Sequence, residues 1–161
     1  MGKDEKSFED IYPEMKKMAQ LLTGEADSIL IGSMAAYLIH PEILDHKPHD
    51  VDLMIDNTLE NIKRVIGILK ENGYEVFSWT DEIGEDFDYS ILPGRFYIRG
   101  IRDGLYVDLT YEIVGLTFEE LKRHTVTADG IVTCTTEGLI KTLEVCDRPD
   151  AAKRIELLKR V

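Results

Sequence analysis

Long hydrophobic runs are missing from this sequence of 161 residues, and none approaches the roughly 20 apolar residues that span a bilayer. The first ten residues, MGKDEKSFED, also lack the apolar centre of a secretory signal peptide. Cysteine is scarce, because Cys134 and Cys146 are too few for a disulfide framework and do not form a CxxC pair. These absences predict a cytoplasmic protein with reduced cysteines and no membrane partner.

Positive charge is also scarce, with 19 Lys and Arg residues against 31 Asp and Glu residues and a formal net charge of −12. Affinity for extended nucleic acid depends largely on Lys and Arg side chains that displace counterions from phosphates. The composition therefore makes extended nucleic-acid binding unfavourable and favours a small molecule or a protein as partner. A local basic patch for RNA stays compatible with this charge.

What the sequence does contain suits one folded domain over residues 1–161, because 43% of it is hydrophobic and domains commonly hold about 100 to 150 residues. The hydrophobic period changes repeatedly along the chain, which is typical of an α/β or α+β fold. We expect a mixed β-sheet flanked by helices. Its core would span residues 24–115, and a hairpin with two helices would follow over residues 117–161.

Periodicity and capping residues predict the individual elements. Strands are expected over 28–32, 51–55, 74–79, 95–101 and 105–111, with hairpins at Arg102-Asp103-Gly104 and around Asp129-Gly130. Helices are expected over 7–22 with Ser7 as cap, 33–40, 57–73, 136–146 and 149–160, with a short one capped at Thr117. A capping box from Asn57 to Glu60 is expected to start the helix over 57–73.

Three aspartates interrupt strands that otherwise look buried. Asp50 and Asp52 lie two residues apart, so they share one face of their strand at a backbone spacing of about 7 Å. Asp108 interrupts the apolar segment LYVDLTY in the same way. If these two strands are neighbours, the three acids meet and need a hard cation such as Mg²⁺ or Mn²⁺. The alternative is that each aspartate occupies an ordinary exposed strand position.

A Gly32-Ser33 pair lies where the strand over 28–32 passes directly into a helix, which offers backbone N–H groups and a hydroxyl to a phosphate. The order of strand, Gly-Ser, helix, Asp-x-Asp strand and later Asp strand resembles the DNA polymerase β-like nucleotidyltransferase superfamily over about residues 28–111. In that superfamily the Gly-Ser element positions a nucleoside triphosphate, and the three acids hold two Mg²⁺ ions.

The C-terminal third resembles small bacterial and archaeal members of the superfamily, including relatives of abortive-infection toxins. Lys141 and Arg148 match their pattern, whereas Arg154 stands where those relatives carry an acid. No arginine follows Ser33 directly, so other cations must meet the charge of the triphosphate. The available candidates are Lys47, Arg95, Arg99 and Arg102.

The resemblance implies transfer of a nucleotidyl group from an NTP, such as ATP, to an acceptor hydroxyl on a protein, small molecule or RNA, with release of pyrophosphate. It implies a site in which Asp50, Asp52 and Asp108 are the catalytic metal ligands. The implied nucleotide-binding residues are Gly32, Ser33, Lys47, Arg95 and Lys141.

Two alternatives remain open on the sequence. The domain could bind a nucleotide without turnover, as a regulatory or antitoxin-like module. It could also be a metal-dependent phosphohydrolase, in which His40 and His49 would join Asp50 at a metal. The acidic segment DEIGEDFD, residues 81–88, lacks the spacing of a calcium-binding loop and is expected to be a solvated loop.

Overall fold

The computed structural model describes residues 6–161, which form helices and strands in alternation. The helices are α1 (Phe8–Glu25), α2 (Gly32–Ile39), α3 (Leu59–Glu71), α4 (Phe118–Lys122), α5 (Thr136–Glu144) and α6 (Ala151–Lys159). The strands are β1 (Ser28–Ile31), β2 (Asp50–Ile55), β3 (Glu75–Ser78), β4 (Asp81–Glu82), β5 (Tyr97–Arg102), β6 (Leu105–Thr110), β7 (Thr125–Ala128) and β8 (Ile131–Cys134). Short 3-10 turns cover Pro41–Ile43 and Tyr89–Ile91.

The strands form a single mixed sheet in the order β4-β3-β5-β6-β2-β1-β8-β7. The pairs β2–β6 and β1–β8 are parallel, and the other neighbours are antiparallel. The expected mixed sheet with flanking helices is therefore confirmed. None of the helices within residues 6–161 is both long enough and apolar enough to cross a bilayer.

The core lies on the face of β2 that carries Val51, Leu53 and Ile55, all of which are fully buried. Leu69 of α3 packs on this face so closely that a Cβ at Gly100 of β5 would lie 3.1 Å from it. The hydrophobic cluster continues into α1 through its methionine and leucine side chains. Because side chains alternate along a strand, the aspartates of β2 are left on the opposite face, as the sequence pattern predicts.

The start of α3 differs from the prediction by one residue. Thr58, rather than Asn57, is the cap, and its hydroxyl accepts a hydrogen bond from the backbone N–H of Asn61 at 3.3 Å. The Asn61 side chain then donates to the carbonyl oxygens of Asp27 and Asp56, each at 3.0 Å. The predicted capping box from Asn57 to Glu60 was wrong, because the Thr58 hydroxyl, one residue later, accepts the first-turn N–H instead.

Both predicted hairpins are present, with β5 and β6 joined through Asp103-Gly104 and β7 and β8 joined through Asp129-Gly130. The second hairpin extends the same sheet, because β8 pairs with β1. The segment 81–88 is not entirely loop, since β4 begins it and pairs with β3. Ser7 caps α1 as predicted, accepting a hydrogen bond from the backbone N–H of Asp10.

Candidate active site

The three predicted acids lie on adjacent strands. In the parallel pair β2–β6, Asp52 is the direct partner of Asp108, and Asp50 is the partner of Tyr106. Direct partners and residues two positions apart share a face of a sheet, so the carboxylates project from the same side. The expectation that these two strands are neighbours is confirmed, and the fold brings the acids together where the sequence pattern indicated.

Asp108 makes a set of contacts that the sequence pattern did not indicate. Arg99 of β5 donates from Nε to Oδ1 at 2.7 Å and from a terminal nitrogen to Oδ2 at 3.1 Å. The Tyr97 hydroxyl also donates to Oδ1, at 2.6 Å. Arg99 was a candidate cation for a triphosphate, but its guanidinium is the bidentate partner of a nearly buried carboxylate.

Asp52 carries the strongest electrostatic perturbation among these acids. Burial, the charge of Asp108 and then the charge of Asp50 raise its pKa to about 7, against the opposing effects of Arg148 and Arg99. Burial and Asp108 also raise the pKa of Asp50. Carboxylates that repel one another in this way have the donor chemistry that a hard divalent cation prefers.

Within residues 6–161, no group of three or more His, Cys, Asp or Glu side chains is arranged as a metal site. Arg99 instead holds the Asp108 carboxylate in an ion pair at 2.7 Å. Metal binding by Asp50, Asp52 and Asp108 therefore stays a prediction.

The Gly32-Ser33 turn packs directly against Asp52. Gly32 has φ +72°, and a Cβ at this position would lie only 2.7 Å from Oδ2 of Asp52. Glycine is required here both by the left-handed backbone and by the close approach. The turn therefore has a packing role that needs no ligand, and that role places the start of α2 beside the acids.

The first turn of α2 lacks a side-chain cap. No side chain of the described residues caps this helix, and its first turn contains no acidic residue. The N–H groups at a helix start have no partner inside the helix and carry partial positive charge. Phosphate binding by Gly32 and Ser33 at this end of α2 stays a prediction.

Arg154 and Arg148 lie near this turn, although neither was among the cations predicted from the sequence to bind the triphosphate. Arg154 of α6 donates to the Ser33 hydroxyl at 3.4 Å and pairs with Asp150 at 2.9 Å. Arg148 acts on Asp52, because its charge lowers the pKa of that carboxyl. The sequence did mark Arg154 as unusual, because it replaces an acid of the resembled family. Its position beside Ser33, however, depends on how α6 packs near α2.

Most of the other predicted cations have acidic partners away from Ser33. Lys47 pairs with Glu9 at 3.4 Å, Arg95 with Asp81 at 2.8 Å and Arg102 with Glu14 at 3.0 Å. Lys141 lines a pocket with Glu120 and Glu144, whereas Gly32 and Arg154 line a different one. Nucleotide binding by Lys47, Arg95 and Lys141 stays a prediction, and the fold does not gather them at the Gly-Ser turn.

The two histidines proposed for a phosphohydrolase site, His40 and His49, contact different residues. The His40 ring is hydrogen-bonded to the Thr136 hydroxyl at 2.7 Å, whereas the His46 and His49 rings stack at 6.4 Å. Asp50 experiences the charges of Asp108, Arg99 and then the neighbouring His49, whereas His40 is not among the groups that act on it. The arrangement gives the phosphohydrolase alternative no support.

No family model matches the sequence, and no curated protein matches it either. Solved structures do resemble it. TM1012 from Thermotoga maritima, provisionally described as a nucleotidyltransferase, superposes with a TM-score of 0.58 at 15% identity, over 98% of this chain and 95% of that one. The Megavirus polyadenylate synthase superposes at 0.54 with 15% identity, over 96% of this chain and 32% of that one.

JHP933 from Helicobacter pylori superposes with a TM-score of 0.51 at 14% identity, and this chain covers 66% of its length. Identities this low show a shared fold alone. The chain thus has a nucleotidyltransferase fold, and it spans about a third of the length of the viral enzyme and nearly the whole of TM1012.

Proposed function

We propose that this protein transfers a nucleotidyl group from a nucleoside triphosphate to an acceptor hydroxyl. The observation that carries the proposal is the position of Asp52, which is register partner to Asp108 on one side and packs against Gly32 on the other. Three carboxylates and an uncapped helix start therefore lie close together on a nucleotidyltransferase fold, which supports the proposal. We further propose kinship with the small members of the polymerase β-like superfamily.

The triphosphate binds at the start of α2. Backbone N–H groups after Gly32 and the Ser33 hydroxyl donate to phosphate oxygens. Arg154, already within 3.4 Å of the Ser33 hydroxyl, swings its guanidinium onto the same phosphates and supplies the charge that the Gly-Ser motif itself lacks.

The carboxylates of Asp50 and Asp52 would hold Mg²⁺ or Mn²⁺ beside these phosphates. The cation, when bound, stabilises the charge that develops on the pyrophosphate oxygens. Loss of the proton from Asp52 accompanies this binding, because the pKa of about 7 leaves much of that group protonated at neutral pH.

Asp108 would complete the ligand set while it stays paired with Arg99. Its Oδ1 accepts two hydrogen bonds and its Oδ2 accepts one. A carboxylate offers about four acceptor sites, so a site on Oδ2 remains for a cation. Arg99 and Tyr97 then orient the Asp108 carboxylate and leave it able to bind a cation.

In the transfer itself, the acceptor oxygen forms a bond to the α-phosphorus. The bond between that phosphorus and the bridging oxygen of pyrophosphate breaks, and the hydroxyl proton passes to the carboxylate of Asp108 and from there to solvent. The chain contributes mainly positioning and charge stabilisation, as in other phosphoryl-group transfers.

The test incubates the protein with each NTP, Mg²⁺ and a cell lysate. Label in the α-phosphate should appear on a macromolecule or small-molecule product, whereas label in the γ-phosphate should leave as pyrophosphate. The double variant Asp50→Asn, Asp52→Asn should transfer no label. Transfer of the γ-label, or equal labelling by the double variant, would contradict the proposal.

A second candidate function is nucleotide binding without turnover. The bidentate contact of Arg99 with Asp108 favours it, because a carboxylate held in this way is less free to approach a second cation. In that case labelled NTP should bind at the Ser33 turn and no lysate component should become labelled.

A further inference from the structure

Two aromatic side chains stand exposed beside the acids. Trp79 is 56% exposed and Phe96 is 40% exposed, although large aromatic rings usually bury most of their surface. Trp79 follows β3, and Phe96 immediately precedes β5, which pairs with it. Together with Tyr97 they form a surface that we term the aromatic groove.

Trp79 and Phe96 both adopt a backbone conformation that bulky residues rarely adopt. The φ angles are +55° at Trp79 and +68° at Phe96, in the left-handed region. Such residues cost free energy, persist only where the surroundings hold them, and concentrate at functional sites. Here the Trp79 indole N–H donates to the Arg95 carbonyl at 2.7 Å, and the Phe96 carbonyl accepts from the Tyr111 N–H at 3.1 Å.

The aromatic groove is continuous with Asp108. The rings of Trp79 and Tyr97 lie 5.0 Å apart at an angle of 50°, and the Tyr97 hydroxyl donates to Asp108. Thr80, Thr110 and Arg99 complete the lining. The open volume of about 620 Å³ is within the range of roughly 300 to 1,000 Å³ that small-molecule sites occupy.

The groove and the Gly-Ser turn lie on opposite sides of the acids along the sheet. Ser33 and Arg154 are on the β1 side of β2, whereas Trp79, Phe96 and Tyr97 are on the β5 side of β6. A triphosphate held at Ser33 leaves the groove free. A molecule in the groove would present its hydroxyl towards Asp108, where an acceptor must approach.

We propose that the aromatic groove binds the planar heteroaromatic ring of a nucleoside-type acceptor. The role of the bound molecule as acceptor rests on the proposed function, whereas binding of an aromatic ring in the groove does not depend on it. Flat rings stack on aromatic side chains through their faces. The cations at the groove are already paired, Arg99 with Asp108 and Arg95 with Asp81, and the net charge is −12, so a neutral ring fits better than a polyphosphate.

Trp79 is the single tryptophan of the chain and therefore reports directly on the groove. Adenosine and, separately, uridine are titrated into the protein while tryptophan fluorescence is followed. We expect saturable quenching by at least one of them and none by ribose, which has no aromatic ring. Absence of quenching by both nucleosides would overturn the proposal.

The variant Phe96→Asn removes one ring and suits the left-handed backbone, because asparagine tolerates positive φ. Stacking of one base contributes enough that its loss should weaken nucleoside affinity about fivefold or more. Val126→Asn is the matched control, since Val126 is 45% exposed on β7 at the far edge of the sheet. Equal losses in both variants, or none in Phe96→Asn, would refute the groove as the ring site.

The same titrations, repeated with saturating ATP and Mg²⁺, separate the acceptor from the base of the NTP. If adenosine or uridine still quenches the fluorescence, the groove is an acceptor subsite. If ATP displaces the nucleoside, the groove binds the base of the NTP and the acceptor proposal is overturned. ATP binding is followed independently by equilibrium dialysis. Nucleoside quenching without any ATP binding would support the ring site and overturn the proposed function instead.

Discussion

Asp52→Asn should stabilise the folded protein at neutral and alkaline pH in the absence of metal. Burial and the neighbouring acids raise the pKa of Asp52 from its ordinary value of 3.8 to about 7. The folded state therefore keeps a proton that the unfolded chain releases between about pH 4 and pH 7. The unfolding free energy of the native protein should fall as pH rises through this window and level off above it.

The magnitude follows from the same linkage. A rise from 3.8 to about 7, at roughly 1.4 kcal/mol for each pH unit, corresponds to at most about 4 kcal/mol. Solvent reaches part of Asp52, so we expect a loss on the order of 1 to 3 kcal/mol. Asparagine has nearly the same shape and no charge, so Asp52→Asn should lack this loss.

Urea unfolding at pH 5 and pH 8 measures the effect, and the difference between native and variant protein cancels the titrating groups that do not interact with Asp52. Asp45→Asn is the control, because it removes the same charge from an exposed loop position. Millimolar Mg²⁺ should restore stability to the native protein at pH 8, less so at pH 5, and not to Asp52→Asn. Parallel pH curves for the native protein and Asp52→Asn would refute the reasoning.

Three further changes test the remaining parts of the site. Arg154→Ala should weaken NTP binding about tenfold or more in equilibrium dialysis, the scale of a lost charged hydrogen bond, whereas Arg64→Ala on the exposed face of α3 should not. Asp108→Asn should keep NTP affinity within about tenfold and lower nucleotidyl transfer at least about a hundredfold. Tyr97→Phe should lower the transfer rate while nucleoside quenching of Trp79 persists, because the ring stays and only the hydroxyl on Asp108 is lost. Transfer at the native rate in Asp108→Asn, or unchanged ATP affinity in Arg154→Ala, would contradict these assignments.

The sequence predicts the part of the site that depends on strand periodicity. Alternation alone places Val51 and Leu53 in the core and leaves Asp50 and Asp52 on the other face. A third acid in an apolar strand then indicates which strand is the neighbour of β2, and the register confirms it at Asp108. Local patterns carry this information because each face of a strand has one environment.

The arginine contacts could not be predicted from the sequence, because they depend on which long side chains meet in the folded protein. Arg99 and Asp108 are register partners of an antiparallel pair, yet nothing local distinguishes Arg99 from the paired Arg95 or Arg102. Arg154 lies 121 residues from Ser33, so their contact depends on how α6 packs.

The ion pair at Asp108 bears on how many cations the site can hold. Asp50, Asp52 and Asp108 together carry three negative charges when ionised, and Arg99 offsets one, which leaves two for one divalent cation to balance. A second divalent cation would then meet an excess of positive charge, reinforced by Arg148. In the proposed mechanism, a triphosphate at the start of α2 would supply the missing negative charge. Arg99 would then make occupancy by two cations depend on the nucleotide, so the ion pair that favours a nucleotide-binding module is also compatible with a catalyst whose metal site is complete only when the substrate is bound.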